Sequence, residues 1–125
     1  MKYMLLVYTN ESAWTEQEKE KCGAEAVQLA HELHTKGKYL GASPLGSVAL
    51  ATSVRVRDGK RFVTDGPFAE THEQLGGFFL IEAADLDEAI GIAGRIHSAR
   101  KGTVEVRPVL DLPGLPDAAS PSRIG

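Results

Sequence analysis

The chain has 125 residues, which is enough for one domain with its own hydrophobic core. A formal net charge of −3 gives no general attraction to phosphate backbones, and no apolar run approaches the length of a membrane-spanning helix, so nucleic acid and membrane are not expected as partners. The single cysteine, Cys22, excludes an intrachain disulfide, and the short apolar stretch at residues 3–8 runs directly into polar residues, unlike an export signal. We therefore expect a cytoplasmic location.

The first third of the chain predicts a strand followed by a long helix. Residues 2–8, KYMLLVY, are a continuous apolar run rich in strand formers, which is typical of a strand covered on both faces. Thr15 and Glu18 have the spacing of a capping box, and Gly37 is a typical residue just past a helix end, so we expect a helix over about residues 15–36. Its apolar face would carry Gly23, Ala26, Val27, Ala30, Leu33 and His34.

The middle of the chain predicts an edge strand and a hairpin. Residues 39–46, YLGASPLG, contain Pro44 and small residues, which limits them to a short edge strand. The stretch TSVRVRDGKRFVTDG then alternates valine and arginine and turns at Asp58-Gly59, a strong signal for a β-hairpin with one solvated face.

The last third repeats the pattern of strand, helix and strand. Residues 77–83, GFFLIEA, are again apolar on both sides, and Asp85 and Glu88 predict the start of a second helix. Its buried stripe is expected to hold Leu86, Ala89, Ile90, Ala93 and Ile96 or His97. Residues 103–110 alternate in polarity and include Pro108, as in an edge strand.

This order of elements predicts an α+β, ferredoxin-like βαββαβ fold with an extra β-hairpin, in one domain over residues 1–110. Two helices cover only one face of such a sheet, yet the two central strands are apolar on both sides. We therefore predict a homodimer through the sheet face, a dimeric α/β barrel. The Pro/Ala/Ser-rich tail at residues 111–125 has a composition that normally stays disordered, and we expect it to be held by packing on another molecule, either the partner subunit or a crystal neighbour.

The strings VTDGPFAE and LGGFFLIE, together with VEVRPV, carry a family resemblance over Met1 to about Val109. The chain resembles the DGPF subgroup of the YCII-related proteins, a largely uncharacterised family. The resemblance implies a dimeric barrel of ferredoxin-like subunits. Some relatives in the wider family are thought to be enzymes with a His-Asp acid/base pair. Members of the DGPF subgroup are often encoded near sigma factors. The position of that family histidine is Ala26 here, with His31 and His34 one and two turns later, so the family base does not carry over.

The segment TDGPFAETHEQLGG supplies the candidate catalytic residues. Asp65 either accepts hydrogen bonds from its own turn or acts as a base and charge partner for His72. His72, if it points inward, would have Asp65 or Glu70 as its orienting carboxylate; the alternative is exposure on the surface. The Thr71–Gln74 spacing also predicts a short helical turn.

Three residues are candidates for ligand binding: Tyr8 at the end of the first strand, Ser43 in the small-residue segment, and Phe68, which the rigid Gly-Pro turn holds in place. No metal site is expected, because His31 and His34 lack the zinc-signature spacing and have no third ligand at a suitable interval. No nucleotide or phosphate-loop pattern occurs, and no cofactor is expected.

Two hypotheses remain open from the sequence. The first is an enzyme that performs cofactor-free proton transfer on a small molecule in a cleft, with Asp65, His72 and Glu70 as the acid/base group. The second is a non-catalytic dimeric module that binds a ligand or a protein, within sigma-factor signalling. Whether Asp65 and His72 share a concave pocket distinguishes the two.

Overall fold

The computed structural model describes residues 1–116, and the end of the predicted tail, residues 117–125, lies outside the described residues. The regular elements are β1 (Lys2–Thr9), α1 (Glu16–Thr35), β2 (Tyr39–Pro44), β3 (Thr52–Arg57), β4 (Lys60–Asp65), β5 (Gln74–Glu82), α2 (Leu86–Gly94) and β6 (Thr103–Pro108). Short 3-10 turns cover Glu11–Ala13, Val48–Leu50 and His97–Arg100. The described chain is α+β, and its two α-helices are the two that the sequence predicts.

α1 begins at the predicted capping box. Thr15 Oγ1 accepts a hydrogen bond from the Glu18 backbone N–H at 3.1 Å, and Glu18 Oε1 accepts one from the Thr15 N–H at 3.0 Å. Both otherwise unpaired donors at the helix start are therefore satisfied, which confirms the sequence prediction. Neither helix of residues 1–116 is long and apolar enough to cross a membrane.

Four strands form one antiparallel sheet in the order β2-β5-β1-β6. β1 pairs with β5 on one side and β6 on the other, so Leu5 lies opposite both Phe79 and Val106. The strands with two apolar faces are thus the central ones, and the proline-bearing strands are the edges, as predicted. In the single chain this sheet is open and does not close into a barrel.

The two faces of the sheet differ in burial. One face packs against both helices and forms the core, whose members include Tyr3, Leu5, Val7, Leu29, Leu33, Phe79, Ile81, Ala89, Ile92 and Ile96. Because side chains alternate along a strand, the residues between these point to the opposite side. We call that side, with Met4, Leu6, Phe78 and Leu80, the outer sheet face; these four side chains are only partly buried.

The buried stripe of α2 differs from the predicted one. Ala89, Ala93 and Ile96 are buried as expected, but Ile92 completes the stripe, while Leu86 and Ile90 are 50 % and 52 % exposed. Residues 89, 92, 93 and 96 lie at helical spacing just as well as the predicted set. The rotation of a short helix about its axis is therefore decided by how it docks on the sheet, which periodicity alone does not define.

β3 and β4 pair only with each other and form a separate two-stranded sheet. The Asp58-Gly59 turn joins them, and the Gly66 N–H donates to the Ala51 carbonyl at 2.7 Å to close the base of this hairpin. The valines alternate with arginines as predicted, but the valine side is exposed as well: Val54, Val56 and Val63 are 58–60 % exposed.

Candidate ligand-binding cleft

A cleft of about 910 Å³ lies between α1 and the sheet. Its helix wall is built from small or short side chains, namely Gly23, Ala26, Val27 and Ala30, and its floor includes Val7, Ala42 and Phe79. These helix positions are the predicted apolar face of α1, yet Val27 is 58 % exposed. Glycine and alanine are too small to fill the space between a helix and a sheet, so the apolar face of α1 leaves a cleft instead of closing on the sheet.

Polar side chains lie at the margins of this cleft. His31 and His34, one turn apart on α1, both line it and are both exposed, and the His34 ring meets the Tyr39 ring edge-on with centroids 6.3 Å apart. Neither imidazole makes a hydrogen bond or ion pair within the described chain. They are therefore available to a polar group of a ligand, as acceptor or donor.

Glu11 fixes the loop beside one end of the cleft. Its carboxylate accepts from the Ser47 hydroxyl and from the Val48 backbone N–H, each at 2.9 Å. Both carboxylate oxygens are engaged with the 3-10 turn Val48–Leu50. Glu11 is thus a structural residue of the cleft wall, since its hydrogen bonds position the turn.

Apart from the ion pair of Glu32 with Arg95, three polar pairs join α1 to the segment that follows α2. They connect Glu18 Oε2 to Lys101 Nζ at 2.5 Å, Cys22 Sγ to Ser98 Oγ at 3.9 Å, and Glu25 Oε2 to His97 Nδ1 at 2.6 Å. The hydrogen bond from Lys101 lowers the pKa of Glu18, and burial raises the pKa of the Cys22 thiol. Cys22 lines the cleft, but a thiol with a raised pKa is a poor nucleophile at neutral pH.

Trp14 closes the same side of the cleft. Its ring lies 5.0 Å from the Lys101 ammonium and 6.1 Å from the His97 ring centroid, and its buried Nε1 has no hydrogen-bond partner among residues 1–116. The chain contains no other tryptophan. Its fluorescence therefore reports on this cleft wall alone.

The predicted acid/base residues lie elsewhere. Asp65, Glu70 and His72 are all exposed, and none of them lines this cleft or the smaller groove described next. No hydrogen bond or ion pair joins their side chains to one another in the part of the chain that the structure describes. The structure therefore brings none of the three into a shared concave pocket.

Two predicted ligand-binding residues meet in a second groove of about 670 Å³ at the base of the hairpin. Tyr8 and Phe68 line it together with Leu45, Leu50 and Leu75, and Phe68 is 78 % exposed. The Tyr8 hydroxyl donates to Glu105 Oε1 at 3.3 Å, and partial burial, followed by the nearby Glu105 charge, raises the pKa of Tyr8. The third residue, Ser43, lines the α1 cleft and donates to the Pro44 carbonyl at 2.9 Å.

The helical turn predicted at residues 71–74 is wrong. Gln74 belongs to β5 opposite Thr9, and its side-chain amide donates to the Thr71 carbonyl. The pairing of Gln74 with β1 removes it from any helix, so the Thr-x-x-Gln spacing closes a loop instead. His72 lies in that exposed loop.

Gly77 has a packing role at the start of β5. A Cβ atom there would lie 3.0 Å from the Ser43 carbonyl oxygen and 3.3 Å from Pro44 Cα. The close approach of β2 therefore leaves little room for a larger residue at this position. Within residues 1–116, no group of three or more His, Cys, Asp or Glu side chains is arranged to hold a metal ion.

Two helices on one face of a four-stranded antiparallel sheet, with an apolar cleft under the longer helix, define a small α+β domain with room for a ligand. The chain belongs to the YCII-related family, because the model of the YCII-related domain matches residues 1–113. It is similar to an uncharacterised protein of Rhizobium meliloti (strain 1021), with 38 % identity over 114 residues, which are 87 % of this chain and 92 % of that protein. The resemblance to the YCII-related family is thereby confirmed.

Proposed function

We propose that this protein binds a small, largely apolar molecule in the cleft between α1 and the sheet. The observation that carries the proposal is the cleft itself: about 910 Å³ of space bounded by small residues on the apolar face of a helix. Ligand pockets are typically about 300–1,000 Å³ and mostly apolar, with a few polar groups that fix orientation. Around this space, α1 is capped at its start and the sheet carries a buried core.

The lining defines the chemical class of the ligand. The apolar floor and the rings of Tyr39 and Phe79 suit an aromatic or alicyclic body, since ring faces pack well on such surfaces. His31 and His34 lie at one margin and Lys19 lines the cleft as well, so a ligand with a carboxylate, phenol or carbonyl group would find donors there. We expect an amphipathic ring compound rather than a sugar or a nucleotide.

Intrinsic fluorescence of Trp14 tests this proposal. Titration with anilinonaphthalene sulfonate, an aromatic anion of suitable size, should change the Trp14 emission and enhance the dye emission. Ala30→Phe places a ring in the cleft and should weaken dye binding by about tenfold or more. Ala24→Phe adds the same ring to an exposed position of α1 outside the cleft and serves as the matched control. Equal dye affinity in wild type and Ala30→Phe would sink the proposal.

Acid/base chemistry by Asp65, His72 and Glu70 stays a prediction. A proton-transfer group must lie within hydrogen-bond distance of the reacting atom. Because these three side chains are exposed and line neither concave site, their substrate would have to bind outside both. Ligand binding without catalysis needs only the cleft, which is why we favour it. Membership of the DGPF subgroup and a role in sigma-factor signalling likewise stay predictions from the resemblance.

We further propose that the protein is a homodimer in which two outer sheet faces pack together, giving a barrel of ferredoxin-like subunits. Support comes from Met4, Leu6, Phe78 and Leu80, which form an apolar strip on the side of the sheet that the helices leave uncovered. An antiparallel sheet with one solvated face usually alternates apolar and polar residues, and β1 and β5 do not. A second copy would bury this strip by self-complementary packing.

A further inference from the structure

The hairpin of β3 and β4, residues 52–65, which we call the arm, stands apart from the main sheet. Its two strands pair only with each other, and every residue from Val54 to Asp65 is exposed. A two-stranded hairpin is at best marginally stable in water, and a third strand or an apolar surface stabilises it. The arm has two open strand edges and gains no third strand from residues 1–116.

The turn of the arm decides which backbone groups face the open edges. Both residues of the Asp58-Gly59 turn have positive φ, 52° and 74°, as in a two-residue type I′ turn, whose flanking residues are hydrogen-bonded to each other. Bonded pairs then recur at every second residue, and the bond from the Gly66 N–H to the Ala51 carbonyl has the same phase. The backbone groups of Val54 and Val56 therefore point away from β4, to the open edge of β3.

A side-chain contact agrees with this direction. The Arg57 guanidinium donates to the Val56 carbonyl at 3.0 Å, as expected for a carbonyl that lies outside the ladder with β4. Neither Arg55 nor Arg57 makes an ion pair within residues 1–116. Both guanidinium charges are therefore available to an acidic group that approaches the edge of β3.

β3 presents one apolar and one basic face beside its open edge. Side chains alternate along a strand, so Thr52, Val54 and Val56 lie on one face, and Ser53, Arg55 and Arg57 lie on the other. The two valines are 59 % and 60 % exposed. A strand that pairs with this edge places its own side chains directly beside these, on the same faces. Its apolar residues would cover the valines, and its acidic residues would meet the arginines.

The open edge of β4 lacks this order. The face that it shares with the valines of β3 carries Arg61, Val63 and Asp65, and its other face carries Lys60, Phe62 and Thr64. Asp65 would repel an acidic strand there, since like charges directly opposite each other are destabilising. Charged side chains on an edge strand also protect it from uncontrolled pairing. The arginines of β3 therefore disfavour a basic strand and favour an acidic one.

We infer that the open edge of β3 binds an extended segment of another protein, in which apolar residues alternate with Asp or Glu. In strand addition of this kind, main-chain hydrogen bonds supply affinity and the alternating side chains supply specificity. Apolar residues of the segment cover Val54 and Val56, and its carboxylates lie beside Arg55 and Arg57. These four residues lie outside the α1 cleft, so the inference does not rest on ligand binding there.

Two features favour an acidic peptide over a nucleic acid. Phosphates would meet the arginines but would leave the edge backbone groups of Val54 and Val56 without a matching row of donors and acceptors. The arm has a charge of +2, which leaves −5 for the rest of a chain whose net charge is −3. That remainder repels a long polyanion, whereas a short strand touches only the arm.

Binding of synthetic peptides, measured by fluorescence anisotropy of a labelled end, tests the inference. The probe is a blocked peptide of alternating Glu and Val residues, and a peptide of the same composition with its Glu residues in one block is the control. We expect the alternating peptide to bind at least about tenfold more tightly. Arg55→Thr with Arg57→Thr should weaken its binding about tenfold. Lys60→Thr with Arg61→Thr makes the same charge change on β4 and should weaken it less than about threefold.

A pair of proline variants separates strand addition from attraction by charge alone. Val54 and Val63 face each other in a pair without mutual hydrogen bonds, so the N–H of each points to its own open edge. Proline is tolerated at such an N–H, because no ladder bond is lost. Val54→Pro should weaken binding of the alternating peptide at least about tenfold. Val63→Pro is the matched control and should weaken it less than about threefold.

Amide hydrogen exchange of the wild type gives a readout that does not depend on the folding of a variant. A saturating concentration of the alternating peptide should slow the exchange of the Val54 and Val56 amides, which face the open edge of β3. The Arg61 and Val63 amides face the other edge and should exchange at the same rate with and without the peptide.

Several results would overturn the inference. Equal affinity for the two peptides would show attraction by charge alone, and unchanged Val54 and Val56 exchange with peptide bound would place the peptide elsewhere. Tighter binding of oligothymidylate than of the alternating peptide would identify a nucleic-acid surface instead. Protection of the same two amides in the protein alone, increasing with protein concentration, would show that a second copy of the chain covers this edge.

Discussion

The ammonium of Lys38 lies 2.8 Å from Glu88 Oε1, and the same carboxylate oxygen accepts the Ala84 backbone N–H at 2.8 Å. This pair connects the residue that precedes β2 to the first turn of α2. Asp85 and Glu88 have the spacing of a capping box, but the reciprocal hydrogen bond is different here. The Glu88 carboxylate accepts from the Ala84 N–H and not from the N–H of the cap residue Asp85. The Asp85 side chain still accepts from the Glu88 N–H at 2.9 Å. Glu88 thus links two parts of the chain that are distant in sequence.

The Glu88 pair predicts a pH-dependent loss of stability. The Lys38 hydrogen bond, followed by the Ala84 hydrogen bond, lowers the pKa of Glu88 below its unfolded value. A lowered folded-state pKa stabilises the native state above the unfolded pKa of about 4.3, and this contribution is lost as the pH falls through the folded-state pKa. Glu88→Gln should therefore be less stable than wild type at neutral pH, with the gap closing in acid.

Urea unfolding of wild type and Glu88→Gln at neutral and acidic pH checks this prediction. The control is Glu20→Gln, because Glu20 is an exposed residue of α1 that makes no ion pair within the described chain. The free energy of unfolding of Glu20→Gln should differ little from that of wild type at each pH. A Glu88→Gln deficit that is the same size in acid as at neutral pH would show that packing, and not charge, is responsible.

A pair of glycines gives opposite predictions for the same substitution. A Cβ at Gly102 would lie 2.2 Å from the Tyr8 backbone oxygen, whereas a Cβ at Gly91 in α2 would meet nothing within 4 Å. Gly102→Ala must shift the start of β6 away from β1 and should cost about 2 kcal/mol or more. Gly91→Ala replaces the poorest non-proline helix residue by the best and should stabilise the protein by about 1 kcal/mol.

Urea unfolding gives the free energy of unfolding of both variants and so tests both predictions. Each variant serves as the other's control, since the chemical change is identical and only the surroundings differ. If Gly102→Ala left the free energy of unfolding unchanged, Gly102 would have to lie farther from the Tyr8 backbone oxygen than it does in the structure.

The main elements were predictable because their signals are local. The Thr15 and Glu18 capping box, the Asp58-Gly59 turn and the apolar runs of β1 and β5 each act within a few residues, and all occur in the structure. The central position of β1 and β5 followed from their composition. These features need no knowledge of the partner element.

The predictions that failed depend on contacts between residues that are distant in sequence. Leu86 and Ile90 are exposed because docking of α2 decides its rotation, and Gln74 is in β5 because its partner Thr9 is distant in sequence. The His97 pair with Glu25 joins residues that no sequence spacing relates. The α1 wall of the cleft was missed because its signal is small residues on the helix, such as Gly23 and Ala26, which sequence patterns do not distinguish from ordinary helix packing.

The proposed sheet-face dimer predicts a concentration-dependent assembly. Leu80→Gln places an amide in the centre of the outer sheet face and should raise the dissociation constant at least tenfold, since each dimer carries the change twice. Leu86→Gln, on an exposed side of α2, is the matched control and should leave it unchanged. Sedimentation across a broad concentration range measures both. Wild type that stays monomeric throughout would contradict the assembly.

Asp65 and His72 provide the test that separates binding from catalysis. Both side chains are exposed and line neither concave site, so Asp65→Asn and His72→Gln should each change the free energy of unfolding by less than about 0.5 kcal/mol. Each should also bind the aromatic dye with wild-type affinity, whereas Ala30→Phe should not. This separation is expected because the dye needs the cleft and not the loop.

Turnover by the same variants tests catalysis against ligand binding alone. If a ring compound that binds in the cleft is also turned over, acid/base catalysis predicts a rate loss of about 100-fold or more in Asp65→Asn with binding intact. That result would require the exposed loop to close over the bound compound, and it would assign the proton transfer to Asp65. Equal turnover in wild type, Asp65→Asn and His72→Gln would instead exclude both residues from the chemistry and leave the cleft as the functional site.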